Sequence, residues 1–288
     1  TPATIIIDSP IVYTDEERDH KWKPKNYKEK FFGPTLLRDA LAKSRNVVTI
    51  KILQDIGVDY AREYAAKLGI GSELSPDLSI ALGSSGVSLL ELTNAYSVFA
   101  NRGFLIEPVF ITKIEDRDGN VMEETVPERT KVIENTTAYL MTHLLEGVVQ
   151  YGTGWRAKAL GRPAAGKTGT TNNLFDAWFM GYTPELITGV WVGFDDEAPL
   201  GKSETGSRAA SPIWLGFMKQ TLNGEPVKVF PVPEGVVFTK IDAETGLLPI
   251  PESKETVFVC FKEGTVPTDS TKPPDEITEE DDFFKKDL

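Results

Sequence analysis

A lysine set between glycines and hydroxyl-bearing residues is the part of this sequence whose residue types could do chemistry. Residues 166–173 read GKTGTTNN. The ammonium group of Lys167 and the hydroxyls of Thr168 and Thr170 could together bind an anion, either a phosphate or a carboxylate. Two known patterns overlap here. Residues 161–168 fit G-x-x-x-x-G-K-T, the loop that cradles nucleotide phosphates, and residues 167–169 fit K-T-G, a motif of one class of serine enzymes.

The flanking residues bear on the choice between phosphate and carboxylate. A phosphate loop follows a buried strand and opens a helix, whose N-terminus holds the anion. Here residues 152–160 are glycine-rich and polar, and residues 174–194 have the alternating, aromatic pattern of strands. A Walker B-like strand at 190–195 lies only one hairpin away, where a nucleotide-binding fold would first place a helix. The flanks favour a K-T-G that starts an edge strand. Nucleotide binding stays as the third alternative, and a polar turn that caps a sheet also stays open.

A second polar motif, Ser44-Arg45-Asn46, stands between two helical patterns. Apolar residues recur at helical spacing over 36–43 and again over 47–56. At such a junction the side chains of Ser44 and Asn46 can point into a cleft without interrupting either apolar face. An S-x-N sequence is common and also fits a plain helix boundary with Asn46 as N-cap. We predict that Arg45 is exposed and has no catalytic role.

The rest of the chain predicts helices and antiparallel strands around these motifs. Ser88 and Glu91 fit a capping box for a helix that ends near Ala100. From 225 onward, recurrent prolines predict a strand-poor extension that is disordered after about Pro267 because of its composition. Other predicted elements are helices with N-caps at Asp59, at Asn135 or Thr136 and at Ser211, strands at 4–8, 176–182 and 186–194, and a hairpin at 109–125.

Composition restricts the class of protein. The 288 residues carry a net charge of −12 and one cysteine, Cys260, which argues against nucleic-acid binding and excludes an internal disulfide. His20 and His143 lie far apart in the sequence and Cys260 is close to neither of them, so we predict no metal site and no cofactor. No apolar run reaches the length of a membrane span, no signal peptide is present and the sequence starts at Thr1. We therefore expect a fragment or processed form, with any membrane or targeting segment upstream.

Several blocks of this sequence resemble the transpeptidase domain of class A penicillin-binding proteins. They are 33–46 (GPTLLRDALAKSRN), 82–96 (LGSSGVSLLELTNAY), 165–173 (AGKTGTTNN) with 176–179 (DAWF), 181–184 (GYTP) and, in the tail, 242–247 (DAETGL). The resemblance implies an α/β (α+β) fold, in which an α-helical subdomain packs on a five-stranded, mostly antiparallel sheet with flanking helices. We predict a transpeptidase domain at 1–225, truncated at its N-terminal side, and a C-terminal extension at 226–288.

The resemblance also implies a reaction. A serine of this family attacks the penultimate carbonyl of a D-alanyl-D-alanine stem peptide, and an amine of a second stem then takes the acyl group. Lys167 would supply positive charge near the terminal carboxylate, and Ser44 would pass a proton to the leaving amine. Asn46 would hydrogen-bond the stem peptide or a lysine beside the nucleophile. The substrate-binding residues would be Thr168, Gly169 and Thr170, with the Thr170 N–H in the oxyanion hole.

One family motif does not occur in this sequence. No serine is followed by a lysine three positions later, so S-x-x-K, which carries the nucleophile, is missing. Ser44 lies too near Thr1 to leave room for it, and we therefore expect a truncation upstream and an inactive isolated chain. Hydrolysis of the D,D-carboxypeptidase or β-lactamase type, with water as acceptor, stays an alternative, as does a non-catalytic scaffold.

The resemblance implies partners and a location as well. The partners are peptidoglycan stem peptides, β-lactam antibiotics and an upstream glycosyltransferase domain of the same protein, with no nucleic acid. Contact with a membrane would run only through an N-terminal anchor that this sequence does not contain. The implied location is the periplasm or the extracytoplasmic face of the bacterial inner membrane.

Overall fold

The computed structural model describes residues 1–15 and 20–273. Its α-helices are α1 (Leu37–Ala42), α2 (Asn46–Ile56), α3 (Val58–Lys67), α4 (Leu89–Ala100), α5 (Asn135–Gln150) and α6 (Ser211–Thr221). Its strands are β1 (Ile5–Asp8), β2 (Tyr13–Asp15), β3 (His20–Trp22), β4 (Gly33–Leu36), β5 (Phe104–Ile106), β6 (Lys113–Glu115), β7 (Val121–Glu124), β8 (Arg129–Lys131), β9 (Ala165–Thr170), β10 (Ala177–Tyr182), β11 (Ile187–Val192), β12 (Val236–Asp242) and β13 (Thr256–Lys262). Within the described ranges, no helix combines the length and apolarity that crossing a bilayer requires.

The central sheet consists of three antiparallel strands in the order β11-β10-β9. β10 reads AWFMGY, and because successive side chains of a strand point to opposite faces, Phe179 and Met180 lie on different sides. Phe179 packs edge-on against Trp214 of α6, whereas the Met180 sulfur lies 3.7 Å from the Thr93 hydroxyl of α4. The sheet therefore has one face towards α6 and the other towards α4.

The predicted fold class is confirmed, because helices flank antiparallel strands and the K-T-G residues lie on β9 at the edge of the sheet. The predicted strands at 4–8, 176–182 and 186–194 are present, with slightly narrower bounds, as is the hairpin within 109–125. The resemblance implied five strands in one sheet, but the described residues supply three. The other described strands form separate pairs, namely β1 with β4, β2 with β3, β5 with β8, β6 with β7 and β12 with β13.

Three predicted helix N-caps are wrong, each by one or two positions. α3 starts after Gly57, whose φ of 89° makes the turn, so Asp59 lies in the first turn and acts through its charge. α5 has Glu134 as its N-cap, without a side-chain capping bond. α6 already includes Ser211 as its first residue. None of these three helix starts has a hydrogen bond from a capping side chain.

Glu91 connects the start of α4 to the loop before it. Its carboxylate accepts hydrogen bonds from the backbone N–H groups of Gly71 (3.0 Å), Ser72 (2.9 Å) and Ser88 (3.0 Å). The hydroxyls of Ser72 and Ser88 donate to it as well, and the predicted capping box is confirmed. These hydrogen bonds, with that of the Ser72 hydroxyl first, lower the pKa of Glu91 to about 2 because they stabilise the ionised form.

Replacing Glu91 with glutamine is expected to lower the melting temperature in a pH-dependent way. The carboxyl pKa falls from its ordinary 4.5 to about 2 on folding, so its stabilisation is fully present above pH 4.5 and is lost as the pH falls through 2. Thermal unfolding from pH 7 to pH 2 measures the effect. The difference in Tm between wild type and Glu91→Gln should be widest at pH 7 and should close towards pH 2. Glu63→Gln on the exposed side of α3 is the control, and a difference for Glu91→Gln that does not change with pH would contradict the prediction.

The C-terminal region contains more regular structure than we predicted. β12 and β13 form an antiparallel pair of seven residues each. Ile241 and Phe261 of this pair are fully buried in a cluster with Ala3 and Leu36 from the start of the chain. The strand-poor prediction is wrong because the prolines that suggested it lie in the connecting segments at 226–233 and 249–251, outside both strands.

The predicted disorder after Pro267 is also wrong for the first few residues. Leu248 forms a β-bridge with Ser270, and the Leu248 N–H donates to the carbonyl oxygen of Asp269. Residues 274–288, which include the acidic run at 278–282, lie outside the described residues.

Candidate active site

Lys167 and Ser44 are 123 residues apart in the sequence and meet in the structure. Lys167 Nζ donates hydrogen bonds to Ser44 Oγ and to the carbonyl oxygen of Thr168, both at 2.9 Å. Lys167 stands opposite Met180 in the register of β9 and β10, so its side chain points to the sheet face that α4 covers. The K-T-G and S-x-N motifs therefore form one site, between β9 and the junction of α1 and α2.

Ser44 is held in an unusual backbone conformation. Its φ is 53°, in the left-handed region that residues other than glycine rarely adopt. The Ser44 N–H donates to the Leu41 carbonyl at 3.1 Å and the Arg45 N–H to the Ala40 carbonyl at 2.9 Å, which closes the turn. Strained conformations of this kind occur where the surrounding structure fixes the direction of a side chain. Here the turn aims the hydroxyl of Ser44 at Lys167.

The charge of Lys167 is sensitive to its surroundings. Burial at the junction lowers the pKa of Lys167 to about 8, because removal from water penalises the ammonium form. The ammonium form still predominates at pH 7, and a bound carboxylate would stabilise it further. Lys167 can thus bind an anion and also exchange a proton close to neutral pH.

Asn46, the first residue of α2, presents one particular end of its side-chain amide. Its Nδ2 donates a 2.9 Å hydrogen bond to the carbonyl oxygen of Lys25. No hydrogen bond from the described residues reaches Oδ1. The amide therefore offers an acceptor, which suits a cationic or N–H donor.

Arg45 differs from the prediction that it is exposed. Its side chain is partly buried, and the guanidinium carbon lies 3.2 Å from the centre of the Phe32 ring, a cation–π contact. Asp8 lies nearby and is fully buried, and both of its carboxylate oxygens accept from Asn26 Nδ2 at 2.9 Å. The prediction is wrong because residues 24–33 fold over the S-x-N turn, a tertiary contact that helical spacing does not reveal.

Thr168 and Thr170 are both tied to segments that the sequence did not point to. The Thr168 hydroxyl lies 2.7 Å from the hydroxyl of Thr153, and the Thr170 hydroxyl accepts from the Gly206 N–H at 3.0 Å. Gly206 must be glycine, because a Cβ there would overlap the carbonyl oxygens of Gly169 and Trp178. The glycines on both sides of Thr153 could have indicated a closely packed loop at this position. Nothing in the sequence around Gly206 indicated its contact with Thr170.

The backbone at the lysine rules out a phosphate loop. Lys167 and Thr168 lie inside β9 and pair with β10. The residues that follow form a three-residue 3₁₀ turn, Asn172–Leu174, rather than a helix whose N-terminus could hold a phosphate. The nucleotide-binding alternative is therefore wrong. On its other edge β9 pairs with no described strand, which leaves backbone groups to which an extended peptide could add.

Two tryptophans stand beside the site on the Lys167 face. Trp178 lies opposite Gly169 in the β9–β10 register, and its ring centre is 6.2 Å from that of Trp191. Trp191 Nε1 donates a 2.7 Å hydrogen bond to Asp176 Oδ1. The two rings pack against each other on the sheet.

The side chains of His143 and Cys260 take part in packing. His143 lies on α5 with its ring centre 5.9 Å from that of Phe238, and Cys260 is buried in β13. Across the part of the chain that the structure describes, His, Cys, Asp and Glu side chains form no group of three or more that could hold a metal ion. The polar side chains at the site are those of a lysine, of serine and threonine residues and of an asparagine.

Comparison with known families and proteins gives a consistent result. Residues 1–214 match the family described as penicillin binding protein transpeptidase domain. Penicillin-binding protein 1A of Pseudomonas aeruginosa is 37% identical over an alignment 327 residues long, which covers 95% of this chain and 40% of that protein. Penicillin-binding protein 1A of Aquifex aeolicus is 42% identical over 267 residues, which cover 93% of this chain and 36% of that protein. The chain thus spans less than half the length of these relatives.

Solved structures show the same similarity. The 2.6 Å crystal structure of penicillin-binding protein 1A from Haemophilus influenzae superposes with a TM-score of 0.88 at 31% identity, over 94% of this chain and 46% of that one. PonA1 from Mycobacterium tuberculosis, solved in complex with penicillin V, superposes with a TM-score of 0.69 at 26% identity, over 80% of this chain and 66% of that one.

Proposed function

This chain belongs to the penicillin-binding protein transpeptidase family, and from that premise we propose that it forms one side of the active site of a serine D,D-transpeptidase. The proposal depends above all on the 2.9 Å hydrogen bond between Lys167 and Ser44, because it joins K-T-G and S-x-N into one site. The substrate is the D-alanyl-D-alanine end of a peptidoglycan stem peptide. β-Lactam antibiotics bind at the same place.

The first half-reaction forms an ester. A serine hydroxyl attacks the carbonyl carbon of the penultimate D-alanine, the peptide bond breaks, and the terminal D-alanine leaves with a proton on its amine. The ammonium group of Lys167 and the hydroxyls of Thr168 and Thr170 hold the terminal carboxylate. Ser44, hydrogen-bonded to Lys167, passes the proton to the leaving amine. The backbone N–H of Thr170 is one donor of the oxyanion hole.

The nucleophile in this scheme comes from an S-x-x-K segment of the intact protein, outside this sequence. One hydrogen of the Asn46 Nδ2 group is engaged by the carbonyl of Lys25. Its Oδ1 can accept a hydrogen bond from the ammonium group of the S-x-x-K lysine or from an N–H group of the stem peptide, so both predicted roles of Asn46 remain.

The second half-reaction decides the class of product. An amine of a neighbouring stem peptide attacks the ester carbonyl, a new peptide bond forms, and the serine hydroxyl is regenerated. Water in place of the amine would give D,D-carboxypeptidase or β-lactamase activity with the same residues. The activity after which the family is named, transpeptidation, favours the amine.

We further propose that the intact protein works at the extracytoplasmic face of the cell membrane, where peptidoglycan is assembled. The relatives are more than twice as long as this chain, which leaves room for a membrane anchor and a glycosyltransferase domain. We also propose that the chain divides into a transpeptidase domain at 1–225 and a C-terminal extension at 226–288.

The full-length protein that contains this chain is expected to react covalently with penicillin. Incubation with a fluorescent penicillin should attach one label per protein, excess unlabelled penicillin should block it, and peptide mapping should place it on the serine of S-x-x-K. With a pentapeptide stem and an amine acceptor, the products should be free D-alanine and a cross-linked dimer. A folded full-length protein that takes up no label would overturn the proposal and support the scaffold alternative. Tetrapeptide without dimer would instead indicate a hydrolase.

A further inference from the structure

The loop that follows α5, residues 152–154, touches both motifs of the site. The Thr153 N–H donates a 3.0 Å hydrogen bond to the carbonyl oxygen of Ala42, the last residue of α1 and two positions before Ser44. The Thr153 hydroxyl lies 2.7 Å from the hydroxyl of Thr168 in the K-T-G strand. One residue therefore contacts the S-x-N side through its backbone and the K-T-G side through its side chain.

The position of this loop is fixed by close packing. A Cβ on Gly152 would overlap the carbonyl oxygen of Ala42, so only glycine allows the approach. The Gly154 N–H donates to the carbonyl oxygen of Val148 at 3.0 Å, which ties the loop back to α5. The direction of the Thr153 hydroxyl is thus set by the protein before any substrate arrives.

We propose that Thr153 is a positioning residue that turns the hydroxyl hydrogen of Thr168 towards the substrate carboxylate. The proposal rests on the proposed function, in which Thr168 binds that carboxylate. A hydroxyl has one hydrogen to donate and two lone pairs to accept. A carboxylate accepts only, so a Thr168 hydroxyl that binds it must donate its hydrogen there. In the 2.7 Å pair with Thr153, Thr168 then accepts and Thr153 donates.

Without Thr153 the hydroxyl of Thr168 would be free to rotate. It would then have to be ordered when substrate binds, which weakens binding and acylation. Donation from Thr153 also polarises the Thr168 hydroxyl and strengthens the hydrogen bond that it gives. Recognition of the carboxylate by Thr168 therefore depends on Thr153, a residue outside the K-T-G motif.

The test measures the second-order rate of acylation by a fluorescent penicillin in the full-length protein. Thr153→Val keeps the shape of the side chain without the hydroxyl and should slow acylation about five- to tenfold, the size of one hydrogen bond. Thr153→Ser keeps the hydroxyl and should restore most of the rate. Thr256→Val, an exposed threonine on β13, controls for the substitution itself.

A double-mutant cycle separates positioning from a general loosening of the loop. If Thr153 acts through Thr168, adding Thr153→Val to Thr168→Val should change the rate little further. Additive losses, or a Thr153→Val protein that reacts like wild type, would overturn the inference while wild-type labelling keeps the proposed function. Absence of label on the wild type would instead overturn the proposed function. If Thr153→Val does not fold, as judged by its Tm, Thr153→Ala takes its place in the cycle.

Discussion

Replacing Lys167 with alanine in the full-length protein is expected to lower the second-order rate constant of acylation by penicillin about 10²–10³-fold. The variant loses the ammonium group that holds the carboxylate in the proposed reaction, and with it the 2.9 Å hydrogen bond to Ser44 Oγ. Loss of one preorganised donor from an active site typically costs a factor of this size. Time courses of labelling by a fluorescent penicillin measure the rate constant.

The matched control is Lys158→Ala, because Lys158 is an exposed lysine on the 3₁₀ segment Trp155–Leu160. This variant should be labelled at the wild-type rate. If Lys167→Ala is also labelled at that rate, Lys167 has no part in acylation, although the chain would still belong to its family.

The contribution of Lys167 to the rate constant of acylation should also depend on pH. Burial lowers the pKa of Lys167 to about 8, so a rise in pH removes the proton from the group that binds the carboxylate in the proposed reaction. The second-order rate constant, which reports groups of the free enzyme, should therefore fall as the pH rises through about 8. A guanidinium group stays protonated in this range. Whatever rate remains in Lys167→Arg should lack this decline.

The two motifs could be predicted from the sequence because each depends on local patterns. The alternating residues after Lys167 require a strand, and the interrupted helical spacing around Ser44 requires a junction. The 2.9 Å hydrogen bond between Lys167 and Ser44 could not be predicted in this way, because no pattern of spacing relates two segments 123 residues apart. Only the resemblance to a family linked them, and the register of β9 with β10 supplies the physical reason.

The contacts that sequence patterns could not reveal are those made across the fold. Arg45 stacks on Phe32, and Thr153 reaches Thr168, through turns whose paths depend on packing elsewhere. β12 and β13 escaped prediction for a related reason. The proline content of residues 225–288 was averaged over a region in which the prolines fall between the strands. The proline content averaged over this long region therefore gave a wrong prediction, whereas the position of each proline would have been compatible with both strands.

Truncating Trp214 to alanine is expected to destabilise the transpeptidase fold by about 3–5 kcal/mol, the usual effect of removing a large buried aromatic side chain. Trp214 is fully buried, its ring centre lies 5.2 Å from that of Phe179, and its Nε1 donates to the Gly181 carbonyl at 3.0 Å. The variant would have a cavity beneath the sheet and a buried carbonyl without its donor. For a domain of this size, the Tm should fall by roughly 6–20 °C.

Phe217→Ala is the matched control, because Phe217 lies on the same helix with 49% of its surface exposed, and it should change stability by less than about 1 kcal/mol. Trp214→Phe should fall between the two, since it keeps most of the ring but loses the hydrogen bond to Gly181. Equal melting temperatures for Trp214→Ala and Phe217→Ala would contradict the packing argument.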